Sequence, residues 1–227
     1  MAKSTKKVAI FDLDGTLVKA HLWSGIAKHH FKTKENRLSV FWYIISHMAQ
    51  LPFWKIGLIS TEKYYQSWGK DLAWMTKGLS KVRVKNIFNW VANEYLLPSL
   101  KKDVFERLKN HQKQGFLTIL ISGSFQDIVE LIASQLNIDF AIGTELEIVD
   151  NRFTGKIIPP LCFGKAKTEK LKNLLSKRKL QIDFKESFAY SDGIFDLSTL
   201  EMVGNPVAVE PDEKLLKIAK DRGWLII

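Results

Sequence analysis

The stretch KKVAIFDLDGTLVK, residues 6–19, places two carboxylates directly after a short apolar run. Residues 8–11 are all apolar and predict a buried β-strand, and Asp12 and Asp14 follow at its carboxyl end. Two acidic side chains this close together repel each other and resist burial. We therefore expect a compensating cation, and we expect other parts of the chain to supply the remaining groups of such a site.

The composition is that of an ordinary globular protein. Of the 227 residues, 46% are hydrophobic and 26% are charged, which is enough apolar material for a sizeable core. The single cysteine, Cys162, excludes an internal disulfide and a multi-cysteine zinc site, and we expect it to be a buried apolar filler. This cysteine usage fits a reducing compartment.

The apolar segments in the first third of the chain are too short or too interrupted for membrane insertion. The run at 8–11 is shorter than the core of a signal peptide. The apolar window at 38–59 contains several polar residues, whereas a spanning helix needs about 20 predominantly apolar ones. We therefore predict a cytoplasmic protein in which 38–59 forms a buried or surface-lying helix.

The pattern of apolar residues changes twice along the chain. Residues 20–97 have helical periodicity and predict four helices, with Ser60 and Ser80 as N-caps. After residue 98, strands alternate with helices, which is typical of a parallel sheet covered on both faces. Two further strands flank residues 150–151 and predict a hairpin.

These patterns predict an α/β fold with two structural units. Residues 1–19 and 98–227 are expected to form a Rossmann-like core, a parallel sheet with helices on both faces. Residues 20–97 are expected to form an all-α cap module inserted after the first strand, and such inserts often act as lids over an active site.

Polar side chains follow three of the predicted strands. Besides Asp12 and Asp14, Ser122 follows TILI and Asp192 follows FAYS, with Asp196 one helical turn later. Ligands of open α/β sheets bind beyond the carboxyl ends of the strands, so these side chains should converge. So many carboxylates are stable together only with a cation, and a small number of hard oxygen ligands suits Mg²⁺.

The same residue types are suited to phosphoryl transfer. One carboxylate can act as a nucleophile, and a second can deliver a proton and later remove one. Backbone and hydroxyl donors for a phosphate are expected after the first strand and at the start of a later helix, from Gly15, Thr16, Ser122 and Gly123. Developing negative charge also needs a lysine, and GKAK supplies Lys165 and Lys167 near the start of a helix.

Four motifs occur in order along the chain. They are DLDGT (12–16), SGS (122–124), GKAK (164–167) and YSDGIFD (190–196). Together they resemble the four motifs of the haloacid dehalogenase superfamily. The resemblance covers essentially the whole chain, and it is closest to the phosphoserine-phosphatase-like hydrolases that carry a helical cap after the first motif.

The resemblance implies a role for each matching residue. Asp12 would be the nucleophile and Asp14 the general acid and base. Mg²⁺ would be held by the side chains of Asp12 and Asp192 and by the backbone carbonyl of Asp14, and Asp196 would support these ligands. Ser122 would bind the phosphoryl group.

The resemblance also implies a lysine that stabilises the phosphoryl group. Lys165 is preferred over Lys167, because the lysine of the family tends to lie just before the helix.

These roles predict a Mg²⁺-dependent phosphatase that hydrolyses a phosphomonoester through an aspartyl-phosphate. A phosphotransferase or phosphomutase with the same intermediate is an alternative that the motifs do not separate. A basic binding protein on a hydrolase fold is a further alternative, permitted by the net charge of +10. Beyond that charge the sequence has no nucleic-acid motif, and no specific nucleic acid is expected as a partner.

We expect the cap module to determine the substrate. Residues 20–97 hold 11 Lys or Arg against 4 Asp or Glu, a net charge of +7 that attracts anions, and 41–54 is apolar and aromatic. A small soluble phosphomonoester is the expected substrate, and a lipid phosphate at a membrane surface is the alternative.

Five residues are candidates for substrate contact by their type alone: Lys28, Arg37, Tyr64, Tyr65 and Arg83. The histidines of the module lack paired ligand spacing and are expected at the surface: His21, His29, His30 and His47.

Overall fold

A computed structural model describes residues 5–227, and within them seven strands form one sheet in the order β4-β3-β2-β1-β5-β6-β7. The strands are Val8–Phe11 (β1), Leu117–Phe125 (β2), Phe140–Val149 (β3), Arg152–Ile158 (β4), Phe188–Ser191 (β5), Asn205–Ala208 (β6) and Leu225–Ile226 (β7). Neighbouring strands are parallel, except that β3 and β4 are antiparallel. The predicted α/β class is confirmed, and residues 1–4 of the predicted core lie outside the described residues.

Helices cover both faces of the sheet. They are Leu22–Thr33 (α1), Arg37–Lys55 (α2), Thr61–Asp71 (α3), Lys81–Val91 (α4), Lys102–Lys113 (α5), Gln126–Gln135 (α6), Lys165–Lys177 (α7), Leu197–Leu200 (α8) and Glu213–Asp221 (α9). Three 3₁₀ segments and one π-helical turn extend or link them: Leu72–Thr76, Leu97–Ser99, Ile194–Asp196 and Ala92–Leu96.

Strand β1 lies at the centre of the sheet and is buried on both sides. Ala9 and Phe11 face one hydrophobic cluster, whereas Val8 and Ile10 face the other. Successive side chains of a strand point to opposite faces, so a run of four apolar residues is required where both faces are covered. This position brings the two acidic residues that follow β1 to the middle of the carboxyl edge of the sheet.

The cap helices α1 to α4 lie between β1 and α5 in the chain. Their predicted N-caps are confirmed, because Ser60 Oγ accepts a hydrogen bond from the Lys63 N–H and Ser80 Oγ accepts one from the Arg83 N–H. The cap shares one hydrophobic cluster with the sheet, so it does not have a separate core. The limits 20–97 that the sequence assigns to the cap stay a prediction.

The antiparallel strands β3 and β4 form the predicted hairpin and also hold the cap. Asp150 and Asn151 turn the chain with positive φ angles of 48° and 62°. The Gly78 N–H donates to the Phe153 carbonyl at 2.8 Å, and the Phe153 N–H donates to the Leu79 carbonyl at 2.9 Å. These bonds fix the end of the Leu72–Thr76 segment against the hairpin.

Three of the four cap histidines are buried, so their expected surface position was wrong. His30 has no exposed surface, and one of its ring nitrogens lies 2.9 Å from the Met75 carbonyl oxygen. His47 Nδ1 lies 2.6 Å from the Tyr43 carbonyl oxygen, and its ring packs against Trp68. His29 packs against Trp90. An imidazole ring is flat and only partly polar, so it can pack among aromatic side chains when one of its nitrogens forms a hydrogen bond with a backbone carbonyl.

Two other expectations concern Cys162 and the apolar cap segment. Cys162 is fully buried, and burial raises the pKa of its thiol to about 11, which confirms the filler role. In the part of the chain that the structure describes, no helix has both the length and the apolar character needed to cross a membrane.

Candidate active site

The carboxyl ends of the central strands bring the motif residues together. Asp12 directly follows β1, and its N–H donates to the Tyr190 carbonyl of β5 at 3.0 Å. Gly15 then turns the chain with φ of +84°, and a Cβ atom at this position would collide with the Asp192 carboxylate. Glycine is therefore required here, both for its backbone conformation and for the close approach of Asp192.

A buried lysine joins two of the carboxylates. Lys167 Nζ lies 2.6 Å from Oδ1 of Asp12 and 2.7 Å from Oδ1 of Asp196, and the lysine is only 4% exposed. Ser191 Oγ donates to Oδ2 of Asp196 at 2.6 Å and fixes that carboxylate. Asp196 thus holds the lysine in place, whereas the support of the metal ligands that the resemblance implies for Asp196 stays a prediction.

This geometry corrects the preference for Lys165 over Lys167. Lys165 is the first residue of α7 and is exposed, and it lines a groove beside Pro160 rather than the carboxylate cluster. Residues two apart in a helix are separated by about 200° around the axis, so only one of the two lysines can face the strand ends.

Burial and charge set the protonation of the central pair. Burial has the largest influence on the pKa of Asp12 and raises it well above the ordinary value, while Lys167 opposes this shift. Burial by itself lowers the pKa of Lys167, but the adjacent carboxylates of Asp12 and Asp196 more than reverse this and raise it. The ammonium of Lys167 is therefore charged at all physiological pH values.

The turn after β1 supports Asp192 instead of offering donors to a phosphate. Thr16 Oγ1 donates to Oδ1 of Asp192 at 2.9 Å and accepts from the Asp192 N–H at 3.0 Å. The Gly15 and Thr16 N–H groups donate to the carbonyls of Val18 and Leu13. The expectation that Gly15 and Thr16 bind phosphate is corrected accordingly, because the tight turn already uses their polar groups.

The Ser122 segment also differs from the sequence expectation. Ser122 and Gly123 lie within β2, and α6 begins only at Gln126, so they do not open a helix. Both nevertheless line the cavity above the carboxylates. Ser122 Oγ donates to Oδ2 of Asp14 at 3.2 Å and accepts from the Ser124 N–H at 3.0 Å.

Asp14 receives three hydrogen bonds that fix its carboxylate. Ser124 Oγ donates to Oδ2 at 2.6 Å, and Ser122 donates to the same oxygen. The N–H of Leu22, the first residue of α1, donates to Oδ1 at 2.6 Å. Sequence reasoning missed Ser124 and Leu22; Ser124 stands inside the SGS motif and could have been found there, whereas nothing in the sequence marks Leu22.

The donor set fits a divalent cation. Lys167 contacts the carboxylates of Asp12 and Asp196, and a third carboxylate, that of Asp192, lines the same cavity, so the cluster carries excess negative charge. Burial raises the pKa of Asp192, and the nearby Asp196 carboxylate adds to this, while the Thr16 hydrogen bond opposes it. Among residues 5–227, no hydrogen bond reaches Oδ2 of Asp12. Hard carboxylate oxygens with unmet charge are the ligands that Mg²⁺ prefers.

A cavity of about 740 Å³ lies between this cluster and the cap. Its cap side is made of aromatic and aliphatic residues with one histidine and one glycine: His21, Leu22, Trp23, Tyr43, Leu51, Trp54, Tyr64, Tyr65, Trp68, Gly69 and Leu72. Of the five residues considered for substrate contact, Tyr64 and Tyr65 line the cavity, whereas Lys28, Arg37 and Arg83 do not.

A family model for haloacid dehalogenase-like hydrolases matches residues 9–201. The chain belongs to this family. The match runs from β1 through α8 and includes every carboxylate of the cluster, so the resemblance noted from the four motifs is confirmed.

Relatives of this hydrolase include named phosphatases. Phosphoserine phosphatase SerB1 of Mycobacterium tuberculosis is 28% identical over 222 residues, which are 96% of this chain and 69% of that protein. Histidinol-phosphatase of Neisseria meningitidis is 28% identical over 233 residues, which are 98% of each chain. These relatives support phosphatase chemistry for the family member described here.

Solved structures show the same fold. A protein of unknown function from Bordetella pertussis superposes with a TM-score of 0.84 at 25% identity, and 99% of each chain is covered. A substrate-bound phosphoserine phosphatase superposes with a TM-score of 0.67 at 20% identity, covering 99% of this chain and 94% of that one. The α/β core with its helical cap is therefore a shared architecture of this hydrolase and phosphoserine phosphatases.

Proposed function

We propose that this hydrolase is a Mg²⁺-dependent phosphatase that cleaves a phosphomonoester through an aspartyl-phosphate on Asp12. The observation that supports it most directly is the contact of Asp12 with Lys167 at 2.6 Å, at the edge of a cavity where Asp14 is held by three donors. The phosphatase names of the relatives support the same reaction class.

Asp12 is the nucleophile in the first step. One of its carboxylate oxygens attacks phosphorus, and the bond between phosphorus and the ester oxygen breaks. The ammonium of Lys167 lies against Asp12 and offsets the negative charge of the phosphoryl group during its transfer. Such stabilisation is effective because the donor is held in position before the reaction begins. The products of this step are the phosphorylated Asp12 and an alcohol.

Asp14 is the general acid of the first step and the general base of the second. It gives a proton to the departing ester oxygen, and it then removes a proton from the water that attacks the phosphorylated Asp12. This second attack releases inorganic phosphate and restores both carboxyl groups. Ser122, Ser124 and the Leu22 N–H orient the Asp14 side chain for both transfers.

Mg²⁺ would be held by the side chains of Asp12 and Asp192 and by the backbone carbonyl of Asp14. When bound, Mg²⁺ neutralises phosphate oxygens and reduces the repulsion between an anionic nucleophile and an anionic substrate. Thr16 fixes the Asp192 carboxylate by a hydrogen bond. Asp196 contributes indirectly, because it holds the Lys167 ammonium in position.

The test is hydrolysis of 4-nitrophenyl phosphate with and without Mg²⁺, for the natural chain and for Asp12→Asn. We expect Mg²⁺-dependent release of inorganic phosphate that Asp12→Asn abolishes. Asp150→Asn is the matched control, because Asp150 lies in the exposed hairpin turn, where asparagine tolerates a positive φ angle. Turnover that survives Asp12→Asn contradicts the proposal. Transfer of phosphate to an added alcohol in place of water would identify a phosphotransferase instead.

A further inference from the structure

Helix α2 exposes a continuous apolar surface to solvent. Six large apolar residues on it, called here the α2 stripe, are between 42% and 74% exposed: Leu38, Phe41, Trp42, Ile45, Met48 and Phe53. Ile56 and Leu58 follow the helix and are 70% and 71% exposed, which is close to the 74% of Leu38, the most exposed residue of the stripe.

The stripe follows the helical period and occupies one side of α2. From Leu38 to Met48 its members follow one another within three or four residues, and Phe53 lies three helical turns after Trp42, so all six lie on one face of α2. The opposite face is buried through Val40, Tyr43 and His47. A helix that is apolar on both sides needs a partner on its outer side, because an exposed apolar surface of this extent marks an interaction site.

The charge around the stripe identifies the chemistry of that partner. The helix begins at Arg37 and ends at Lys55, and residues 20–97 carry a net charge of +7. A second copy of the chain would bring +7 against +7 at an interface, where like charges repel. An anionic lipid surface instead offers hydrocarbon to the stripe and negative charge to the flanking lysines and arginines.

The same helix contributes to the catalytic cavity. Leu51 and Trp54 lie in α2 and line the cavity on its cap side. Among the described lining residues, Lys167 is the single lysine or arginine, and Asp12 and Asp196 already hold its ammonium. A substrate with a carboxylate beside its phosphate would find no free lysine or arginine among these lining residues, whereas an alkyl chain would be buried against tryptophan and leucine.

We propose that α2 docks on an anionic lipid surface and that the substrate is a lipid phosphomonoester whose alkyl portion enters the aromatic cavity. This substrate class rests on the proposed function. The reaction breaks the bond between phosphorus and the ester oxygen, and the lipid alcohol leaves with the proton from Asp14. Water then hydrolyses the phosphorylated Asp12, so no further reactant is needed.

The docking test is co-sedimentation with vesicles and does not depend on catalysis. We expect the protein to sediment with vesicles of phosphatidylcholine and phosphatidylglycerol in equal amounts, and more weakly with phosphatidylcholine alone. Ile45→Asp should weaken this binding about tenfold or more, because it places a charge in the stripe. Ile158→Asp is the matched control, since Ile158 is exposed to a similar extent (46% against 42%) but lies on β4.

Three results overturn the docking surface. The first is equal vesicle binding by the natural chain, Ile45→Asp and Ile158→Asp, and the second is no binding by any of them. The third is a stable dimer in sedimentation-velocity runs that Ile45→Asp dissociates, which would assign the stripe to a second copy.

The substrate test compares a long-chain monoacylglycerol phosphate with glycerol 3-phosphate, which has the same phosphoester and no chain. We expect kcat/KM to be at least about tenfold higher for the long-chain compound, because several methylene groups of its alkyl chain are buried in the cavity. If the protein hydrolyses 4-nitrophenyl phosphate but its kcat/KM for the long-chain compound is equal to or lower than that for glycerol 3-phosphate, the proposed substrate class is overturned. The proposed phosphatase activity is then unaffected. Loss of all three activities overturns the phosphatase itself.

Discussion

Lys167 Nζ lies between the carboxylates of Asp12 and Asp196, at 2.6 Å and 2.7 Å, and so joins the residue that follows β1 to the last residue of the 3₁₀ segment Ile194–Asp196 through one buried ammonium. Lys165, two residues earlier in α7, is exposed. The two lysines have the same chemistry and nearly the same place in the sequence, and they differ in which side of α7 they occupy.

Replacing Lys167 by methionine should therefore lower kcat much more than replacing Lys165. Lys167→Met removes the donor that contacts Asp12, and we expect a loss of about 10²–10³ in kcat, the usual effect of removing one prearranged charge donor. Lys165→Met should stay within about twofold, since surface substitutions have small effects. The measurement is steady-state hydrolysis of 4-nitrophenyl phosphate, with circular dichroism to show that both variants are folded. Comparable losses in the two variants would refute the assignment.

Ser124→Ala should lower kcat about tenfold, because Asp14 loses its 2.6 Å hydrogen bond and a hydrogen bond to a charged group is worth about 1.5 kcal/mol. KM should change little, since Ser124 acts on Asp14 and not on the substrate. Ser134→Ala is the control, because Ser134 is exposed on α6. If kcat is unchanged in Ser124→Ala, the orienting role of Ser124 is disproved.

Asp14→Asn should depress kcat strongly while leaving Mg²⁺ binding nearly intact. The amide cannot deliver or accept the proton of the leaving group, but the backbone carbonyl expected to bind the metal is unchanged. Isothermal titration with Mg²⁺ and turnover of 4-nitrophenyl phosphate are measured on the same preparation. A normal kcat would remove the acid and base role from Asp14, and a lost metal affinity would show that its side chain is a ligand.

Gly15→Ala should weaken Mg²⁺ binding, because its Cβ atom would collide with the Asp192 carboxylate and displace it. Gly57→Ala is a matched control: Gly57 has a similar φ angle, +79° against +84°, and its added Cβ meets no atom within 4 Å. The comparison separates backbone strain from displacement of Asp192. We expect the Mg²⁺ concentration for half-maximal activity to rise only in Gly15→Ala; an equal rise in both would point to backbone strain alone.

The native state should lose stability in mild acid because of His111. Burial lowers the pKa of His111 to about 4, with a further contribution from Arg107, whereas an unfolded histidine titrates near 6.5. Between these values the unfolded chain binds a proton that the folded chain does not, so stability falls as the pH falls from about 6.5 to 4.

His111→Gln isolates this contribution, since glutamine keeps a polar group near the Tyr190 hydroxyl, which lies 2.7 Å from His111 Nε2. From pH 7 to pH 4.5, the stability of the natural chain should fall by about 2 kcal/mol more than that of the variant. Urea unfolding at several pH values provides the measurement, and parallel stability curves for the two proteins would rule the effect out.

The sequence by itself determined the fold class and most of the reacting groups. Apolar runs that end in Asp12, Ser122 and Asp192 predicted parallel strands with their carboxyl ends at one edge, because a strand buried on both faces must be apolar throughout. Ser60 and Ser80 were correct N-caps, since capping depends on a residue and the first turn that follows it. These inferences concern neighbours in the chain, which a sequence displays directly.

Only the tertiary structure decided what lies side by side from distant parts of the chain. It selected Lys167 over Lys165, bound the Leu22 N–H to Asp14, committed Thr16 to Asp192 and buried His30. Each of these depends on which side of an element faces the strand ends and on which groups are already satisfied there. Residue type and spacing do not contain that information, because it arises when helices and strands pack and each buried polar group must find a partner.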